Sequence, residues 1–162
     1  MSVEYDISSE DCEAVIARYS DTVYRLAFSR TGSRFDADEI FQEVFLRYIR
    51  KRPRFSDEEH CKAWFIRVTI NCSKKFVTKF RNNSVEELTD SRPFEQKEDN
   101  DLYCELQKLP AKYREVIHLF YYEDMPIKEI AKILNRNSST IRTQLTRARE
   151  ILKKYIKEDD YV

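Results

Sequence analysis

Apolar residues recur along the first third of the chain at the helical interval. Val15, Tyr19, Val23 and Leu26 are spaced four, four and three apart, which puts them on one face of an α-helix. That helix is expected to begin near Ser9 or Glu10 and to stop at Gly32, because glycine takes the left-handed cap without steric cost. A second amphipathic stretch carries a broad apolar face of Ile40, Phe41, Val44, Phe45, Tyr48 and Ile49. Asp36 and Glu39 have the spacing of a capping box, so this helix is predicted to start at Asp36. Arg47, Arg50, Lys51 and Arg52 suit the negative end of its dipole, and Pro53 closes it. A third helix is predicted from Ser56, with Glu59 as its capping partner, through Trp64 toward Phe80. One of its faces reads Phe65, Val68, Cys72, Phe76; another reads Arg67, Asn71, Lys74, Thr78, Arg81, flanked by Lys75 and Lys79.

Periodicity then lapses. Residues 82–101 are dominated by Asn, Ser, Asp and Glu and interrupted by Pro93, the composition of a linker. Fully extended, such a segment reaches about 65 Å, nearly two turns of B-DNA at roughly 34 Å each. The helical interval resumes near Pro110, where a helix should bury Val116, Ile117 and Phe120. A short helix from Pro126 turns Ile127, Ile130, Ala131 and Leu134 inward. Asn135, Arg136 and Asn137 form a turn, and a last helix from about Ser138 buries Ile141, Leu145, Ala148 and Leu152. Two helices joined by a tight turn, the second of them basic, constitute a helix-turn-helix pattern.

Composition narrows the class. The 162 residues include 1 Gly and 4 Pro. Strand-rich folds need tight turns with positive φ, so one glycine favours long helices and nearly excludes a glycine-rich phosphate loop. No charged leader with an apolar core opens the chain, and no apolar run approaches the roughly 20 residues that span a bilayer. Cys12, Cys61, Cys72 and Cys104 form no Cys-x-x-Cys pair and have no ligand-like spacing with His60 or His118, so they are expected to be reduced thiols. No paired catalytic carboxylates and no nucleophile beside a base stand out, so the chain is expected not to be an enzyme and to need no cofactor or metal.

Formal net charge is +0, which by itself speaks against nucleic acid. The distribution reverses that. Residues 51–81 carry 9 basic and 3 acidic side chains, 82–105 carry 2 and 8, and 125–157 carry 9 and 2. Two cationic blocks separated by an anionic one suit a chain that meets phosphate at two places, because local clusters set the footprint on DNA. In a helix-turn-helix the start of the second helix lies against base edges in the major groove. Here that start is Ser138, Ser139, Thr140, Arg142, Thr143 and Gln144, with Arg147 a turn later. Arginine grips guanine and glutamine grips adenine through two bonds, each pair worth ~1–3 kcal/mol of discrimination.

Glu129-Ile-Ala-Lys-Ile-Leu134 and Ser139-Thr-Ile-Arg-Thr-Gln-Leu-Thr-Arg-Ala-Arg149 resemble region 4 of the extracytoplasmic-function (ECF) sigma factors. Leu109-Pro110 and Tyr113-Arg114-Glu115-Val116 resemble the helix leading into it. Asn135, Ser139 and Gln144 depart from residues common in the family, Gly, Gly and Arg. Asn135 still suits a left-handed turn. Asp38-Glu-Ile-Phe-Gln-Glu-Val-Phe-Leu46 resembles the sigma segment that docks on the clamp helices of the largest subunit of RNA polymerase. Ala63-Trp-Phe-Ile-Arg-Val-Thr-Ile-Asn71 resembles the segment that captures the minus-ten promoter element. The resemblance spans roughly residues 10–81 and 106–157.

It implies an all-α chain of two small helical domains joined by a flexible acidic linker. Residues 1–81 would dock polymerase and capture the minus-ten element, 82–105 would be the linker, and 106–162 would read the minus-thirty-five element by a helix-turn-helix. The polymerase contacts would be Glu39, Ile40, Gln42, Glu43 and Phe45. Asn71, donor and acceptor in one amide, would read a base edge. Arg67, Lys74, Lys75, Thr78 and Lys79 would line the same strand. Phe55, in the loop from Arg52 to Ser56, would wall the pocket, and Trp64 would belong to the core. The implied partners are core RNA polymerase, promoter DNA and an anti-sigma protein, in the cytoplasm, with no membrane insertion. Two other readings stay open on sequence alone: a self-sufficient dimeric helix-turn-helix regulator, and an adaptor module that binds only proteins.

Overall fold

The computed structural model describes the backbone of residues 11–82 and 106–159, and the side chains of 11–76 and 106–155. It separates into two compact units that divide between Thr89 and Asp90. Among the described residues all regular structure is helical, with no strand.

The first unit is a bundle of α1 (Cys12–Thr31), α2 (Arg34–Lys51) and α3 (Glu58–Asn82). Asp11 caps α1, its carboxylate accepting the Glu13 N–H at 3.3 Å; the expected starts, Ser9 and Glu10, lie outside the described residues. Gly32 closes α1 as expected, at φ 65° with its N–H donating to the Phe28 carbonyl at 2.8 Å. The next two starts differ from the sequence reading. Ser33, not Asp36, caps α2, and its hydroxyl accepts the Asp36 N–H at 3.2 Å. Asp36 therefore sits in the first turn, where its charge suits the helix dipole. Asp57, not Ser56, caps α3 by accepting the His60 N–H at 2.7 Å, while the Ser56 N–H donates to His60 Nδ1 at 3.2 Å. Both misplacements have one cause: two residues able to cap stand close together, and only the chain's entry angle decides between them.

Val15, Tyr19, Val23 and Leu26 are buried, as are Ile40, Val44, Phe45 and Tyr48. Phe65 is the hub of this core. Its ring stacks on Tyr19 at 4.8 Å and lies 5.5 Å from Phe45, 5.3 Å from Tyr48 and 5.0 Å from Trp64. Buried polar groups beside it are satisfied. The Thr69 hydroxyl donates to the Phe65 carbonyl at 2.6 Å, and Ser73 Oγ accepts from Arg30 Nε at 2.6 Å while donating to the Ile70 carbonyl at 2.7 Å. Cys61 and Cys72 are buried free thiols, and burial pushes the Cys72 thiol upward, away from the reactive thiolate. Cys104 lies outside the described residues.

The second unit holds α4 (Ala111–Ile117), a π-helical turn (His118–Tyr122), α5 (Ile127–Leu134) and α6 (Ser138–Asp159). Its core is Leu106, Leu109, Val116, Ile117, Leu119, Ile130, Ile141, Leu145 and Ala148. The π-turn was not legible in the sequence. It shifts the register after Ile117, so that Leu119 is fully buried and Phe120, expected inside, is only half-buried. It also carries His118 into the interior, 3.6 Å from the Glu123 carboxylate and stacked on Tyr122. Leu152 is likewise half-buried where full burial was expected.

Candidate functional site

The candidate residues lie on three surfaces, two on the first unit and one on the second. On the second unit, Asn135 ends α5 at φ 55°, with its N–H turned back to the Ala131 and Lys132 carbonyls. That left-handed residue sets the tight turn into α6, as the sequence led one to expect. Ile141, Leu145 and Ala148 bury one face of α6 and so fix which residues point out. Ser139, Thr140, Arg142, Thr143 and Arg147 are exposed; Ser138 and Gln144 are half-buried at the edge. The Thr143 hydroxyl spends its proton on the Ser139 carbonyl at 3.0 Å, so toward solvent it is an acceptor.

The start of α6 borders an open groove of about 260 Å³, whose other wall is Lys112 and Tyr113 of α4. The Arg147 guanidinium beside the Tyr113 hydroxyl holds its pKa below the ordinary phenol value, with the Lys112 ammonium acting in the same direction. Lys112 and Tyr113 join the site through packing of α4 on α6, and nothing local in the sequence marks them. Further along α6, Arg149 Nε donates to the Tyr121 hydroxyl at 2.7 Å, and its guanidinium lies over the Phe120 and Tyr121 rings.

On the first unit, α3 presents Arg67, Asn71 and Lys74 at spacings of four and three, all exposed. Lys75 is exposed too, yet it already has partners: the Glu43 carboxylate at 3.5 Å and the Phe76 ring at 5.1 Å. Burial pushes the Glu43 carboxyl up, but the Arg47 hydrogen bond and the Lys75 charge outweigh it and hold the group below its ordinary value. The side chains of Thr78, Lys79 and Arg81 lie outside the described residues. Phe55, expected to wall the strand pocket, has little surface to offer it. It is buried, packed edge-on against Trp64 and His60 at 5.9 and 5.3 Å. Trp64 is half-buried within the same aromatic cluster, on the side of the core.

The α2 surface departs most from the sequence reading. Ile40 is 0% exposed and Phe45 5%, so neither can meet a partner; both belong to the bundle core. Glu39 and Gln42 do face solvent, and Glu43 is half-buried. Their neighbours on the helix surface are Phe35 at 72% exposure, Leu46 at 49% and Ile49 at 44%. Phe35, Glu39, Gln42, Leu46 and Ile49 follow at spacings of four, three, four and three, one continuous stripe. Large apolar residues exposed together along one helix face are a feature of surfaces that bind other proteins.

Two family models match, sigma-70 region 2 over residues 15–82 and sigma-70 region 4 over residues 99–152. The chain belongs to the ECF sigma factors of the sigma-70 family. It is 28% identical over 151 residues to RNA polymerase sigma factor SigV of Bacillus subtilis, covering 90% of each chain. It is 26% identical over 164 residues to ECF RNA polymerase sigma factor SigW of the same organism, covering 89% of this chain and 88% of that one. Its fold is shared with the sigma factor RpoE of Bartonella quintana, solved with the anti-sigma factor NepR, at a TM-score of 0.72 and 20% identity, covering 90% and 96% of the two chains. CnrH, solved with the cytosolic domain of CnrY, matches at a TM-score of 0.65 and 22% identity over 94% and 93%. An ECF sigma factor is a transcription-initiation factor, a role that asks for docking and base-reading surfaces rather than a reaction centre. Among the described residues of this sigma factor, no cluster of His, Cys, Asp and Glu could hold a metal ion, and no helix is long and apolar enough to cross a membrane.

Proposed function

We propose that this sigma factor works by delegation: α2 docks it on core polymerase, α3 holds the opened minus-ten strand, and α6 reads the minus-thirty-five duplex. The apolar–acidic stripe on α2 carries the reading, because a DNA-binding module acting alone has no use for it. That stripe suits the basic clamp helices of the polymerase largest subunit, with Glu39 setting orientation and Leu46 and Ile49 contributing burial. Beside it, through the Glu43–Lys75 pair, begins the cationic face of α3. Arg67, Lys74, Lys75 and Lys79 hold phosphates there, Thr78 lines the strand, and Asn71 reads an edge of an unpaired base. On the second unit Arg142, Thr143, Gln144 and Arg147 face the major groove, with Ser138, Ser139 and Thr140 at its rim. The chain acts in the cytoplasm, on core polymerase. An anti-sigma protein masks these surfaces until a signal releases them, a reading supported by the partners with which the similarly folded sigma factors were solved.

The decisive experiment is transcription in vitro from genomic templates with core polymerase, with and without this chain. New, specific start sites are expected; none on any template overturns the reading. A heavy phosphate share and few base contacts also mean that DNA binding without polymerase is weak and salt-sensitive.

Two substitutions separate the surfaces. Asn71→Ala should leave polymerase affinity intact and lower the open-complex fraction by about tenfold, since contacts to one unstacked base are worth ~1–3 kcal/mol. Permanganate footprinting reads the opening, and equal loss of binding and opening counts against the role of Asn71. Arg142→Ala should relax preference at one upstream base pair by about tenfold, the value of one bidentate contact. An unchanged promoter logo removes Arg142 from the readers.

A further inference from the structure

Arg136, in the turn between α5 and α6, joins three elements with one guanidinium. Its Nη2 donates to the Glu115 carboxylate on α4, and its Nη1 donates to Gln144 Oε1 on α6 at 3.1 Å. The clamp is largely shielded from solvent, with 27% of the Arg136 side chain and 11% of the Glu115 side chain exposed. Charge-assisted hydrogen bonds in such a setting are short and strong. Guanidinium has donors only, so the Gln144 atom that meets it must be the carbonyl oxygen. The amide NH2 is then its other end, on a residue that borders the groove with Thr140, Thr143 and Arg147.

This changes what Gln144 can read. A glutamine grips adenine by accepting from N6 and donating to N7 with the two ends of one amide. With its carbonyl aimed at the turn, this amide cannot lay both ends along one base edge. We infer that Arg136 is a positioning residue that makes Gln144 a donor-only reader, selecting the carbonyl acceptor of guanine (O6) or thymine (O4) over adenine, which presents the N6 donor at that place. Glu115 keeps the guanidinium in place and neutralises it, so Arg136 is not drawn off to a phosphate. The inference rests on the proposed placement of α6 in the major groove.

The test is a selection of active promoters by core polymerase carrying the full chain, from templates randomised over the upstream element. Gln144→Ala should flatten preference at a single base pair, which identifies the position read. There the unsubstituted protein should enrich guanine or thymine over adenine by about tenfold, the worth of one good base contact. Arg136→Ala should free the amide and move enrichment at that position toward adenine, leaving other positions unchanged. A purely structural clamp would weaken all positions together and would not change the base chosen at one. Arg136→Lys keeps a cation for Glu115 with a single-point donor, and should give a smaller shift of the same sign. It carries the test if Arg136→Ala melts the second unit, as seen by circular dichroism. Adenine dominant in the unsubstituted protein overturns the inference. So does Gln144→Ala flattening no position, or a folded Arg136 variant leaving the base unchanged. Failure of the underlying reading looks different: the unsubstituted chain then directs no specific start sites at all.

Discussion

Replacing Leu46 and Ile49 together by aspartate is expected to weaken binding to core polymerase at least about a hundredfold while leaving the bundle folded. The magnitude follows from exposure. Leu46 is 49% exposed and Ile49 44%, so about half of each side chain remains to be covered by a partner. Full burial of such a side chain is worth ≈1.5–3 kcal/mol, and half of it roughly 1 kcal/mol each. Aspartate adds the cost of desolvating a polar group where the partner presents apolar surface, at least about 1–3 kcal/mol per site. The sum, about 4–8 kcal/mol, exceeds the ~2.7 kcal/mol that corresponds to a hundredfold. Neither residue contributes to the Phe65 core, so the melting temperature should stay nearly constant. Binding is measured by fluorescence anisotropy of labelled sigma factor titrated with core enzyme. Affinity within about threefold of the unsubstituted chain would place the polymerase contact elsewhere. Ile40→Asp would not serve, because Ile40 is fully buried and a charge there destroys the bundle first.

That contrast marks where sequence stopped being legible. In α1 the four apolar positions occupy one face, and they are buried together as that spacing predicts, with Ala27 and Phe28 beside them. The pattern of α2 is ambiguous by comparison. Phe35, Ile40, Phe41, Val44, Phe45, Leu46, Tyr48 and Ile49 are spread around most of the helix circumference. A bundle of three helices covers only part of it, and the packing of α1 and α3 decides which part. Periodicity thus found the helix and put Ile40, Phe45 and Ile49 on one apolar face; the family resemblance set Ile40 and Phe45 at a partner surface, yet both are buried, and it is Ile49 that is exposed. Helix α6 fared better because Ile141, Leu145 and Ala148 are apolar positions of strict helical spacing and leave no choice of face. What the sequence concealed there lies across elements. Lys112 and Tyr113 reach the groove from α4, and Arg136 bridges Glu115 to Gln144 across 21 and 8 residues of chain. Such pairings depend on crossing geometry and leave no periodic trace.

The aromatic core makes the strongest claim on stability. Phe65→Ala is expected to lower the melting temperature of the first unit by at least about 12 °C. Phe65 is fully buried and lies against Tyr19, Phe45, Tyr48 and Trp64, four rings that cannot all collapse into the space it leaves. A buried Phe→Ala change costs about 3–5 kcal/mol, of which the residual cavity is a large part. In a unit of this size each kcal/mol moves the midpoint by roughly 4–8 °C. Against a total stability of about 5–15 kcal/mol, one substitution removes about a fifth or more of what holds the bundle together. The second unit has its own core, centred on Ile130, Ile141 and Leu145, and should keep its transition. Calorimetry should then show one midpoint lowered and one unmoved. The near-ultraviolet signal of Trp64 should be lost with the lowered one, since its ring also lies 6.1 Å from Tyr48 and 5.9 Å from Phe55 in the same unit. A single cooperative transition that shifts as a whole would mean that the two units unfold together. A shift below about 5 °C would mean that the surrounding rings repack, and Phe65 would lose its place as the hub on which the α2 and α3 surfaces are mounted.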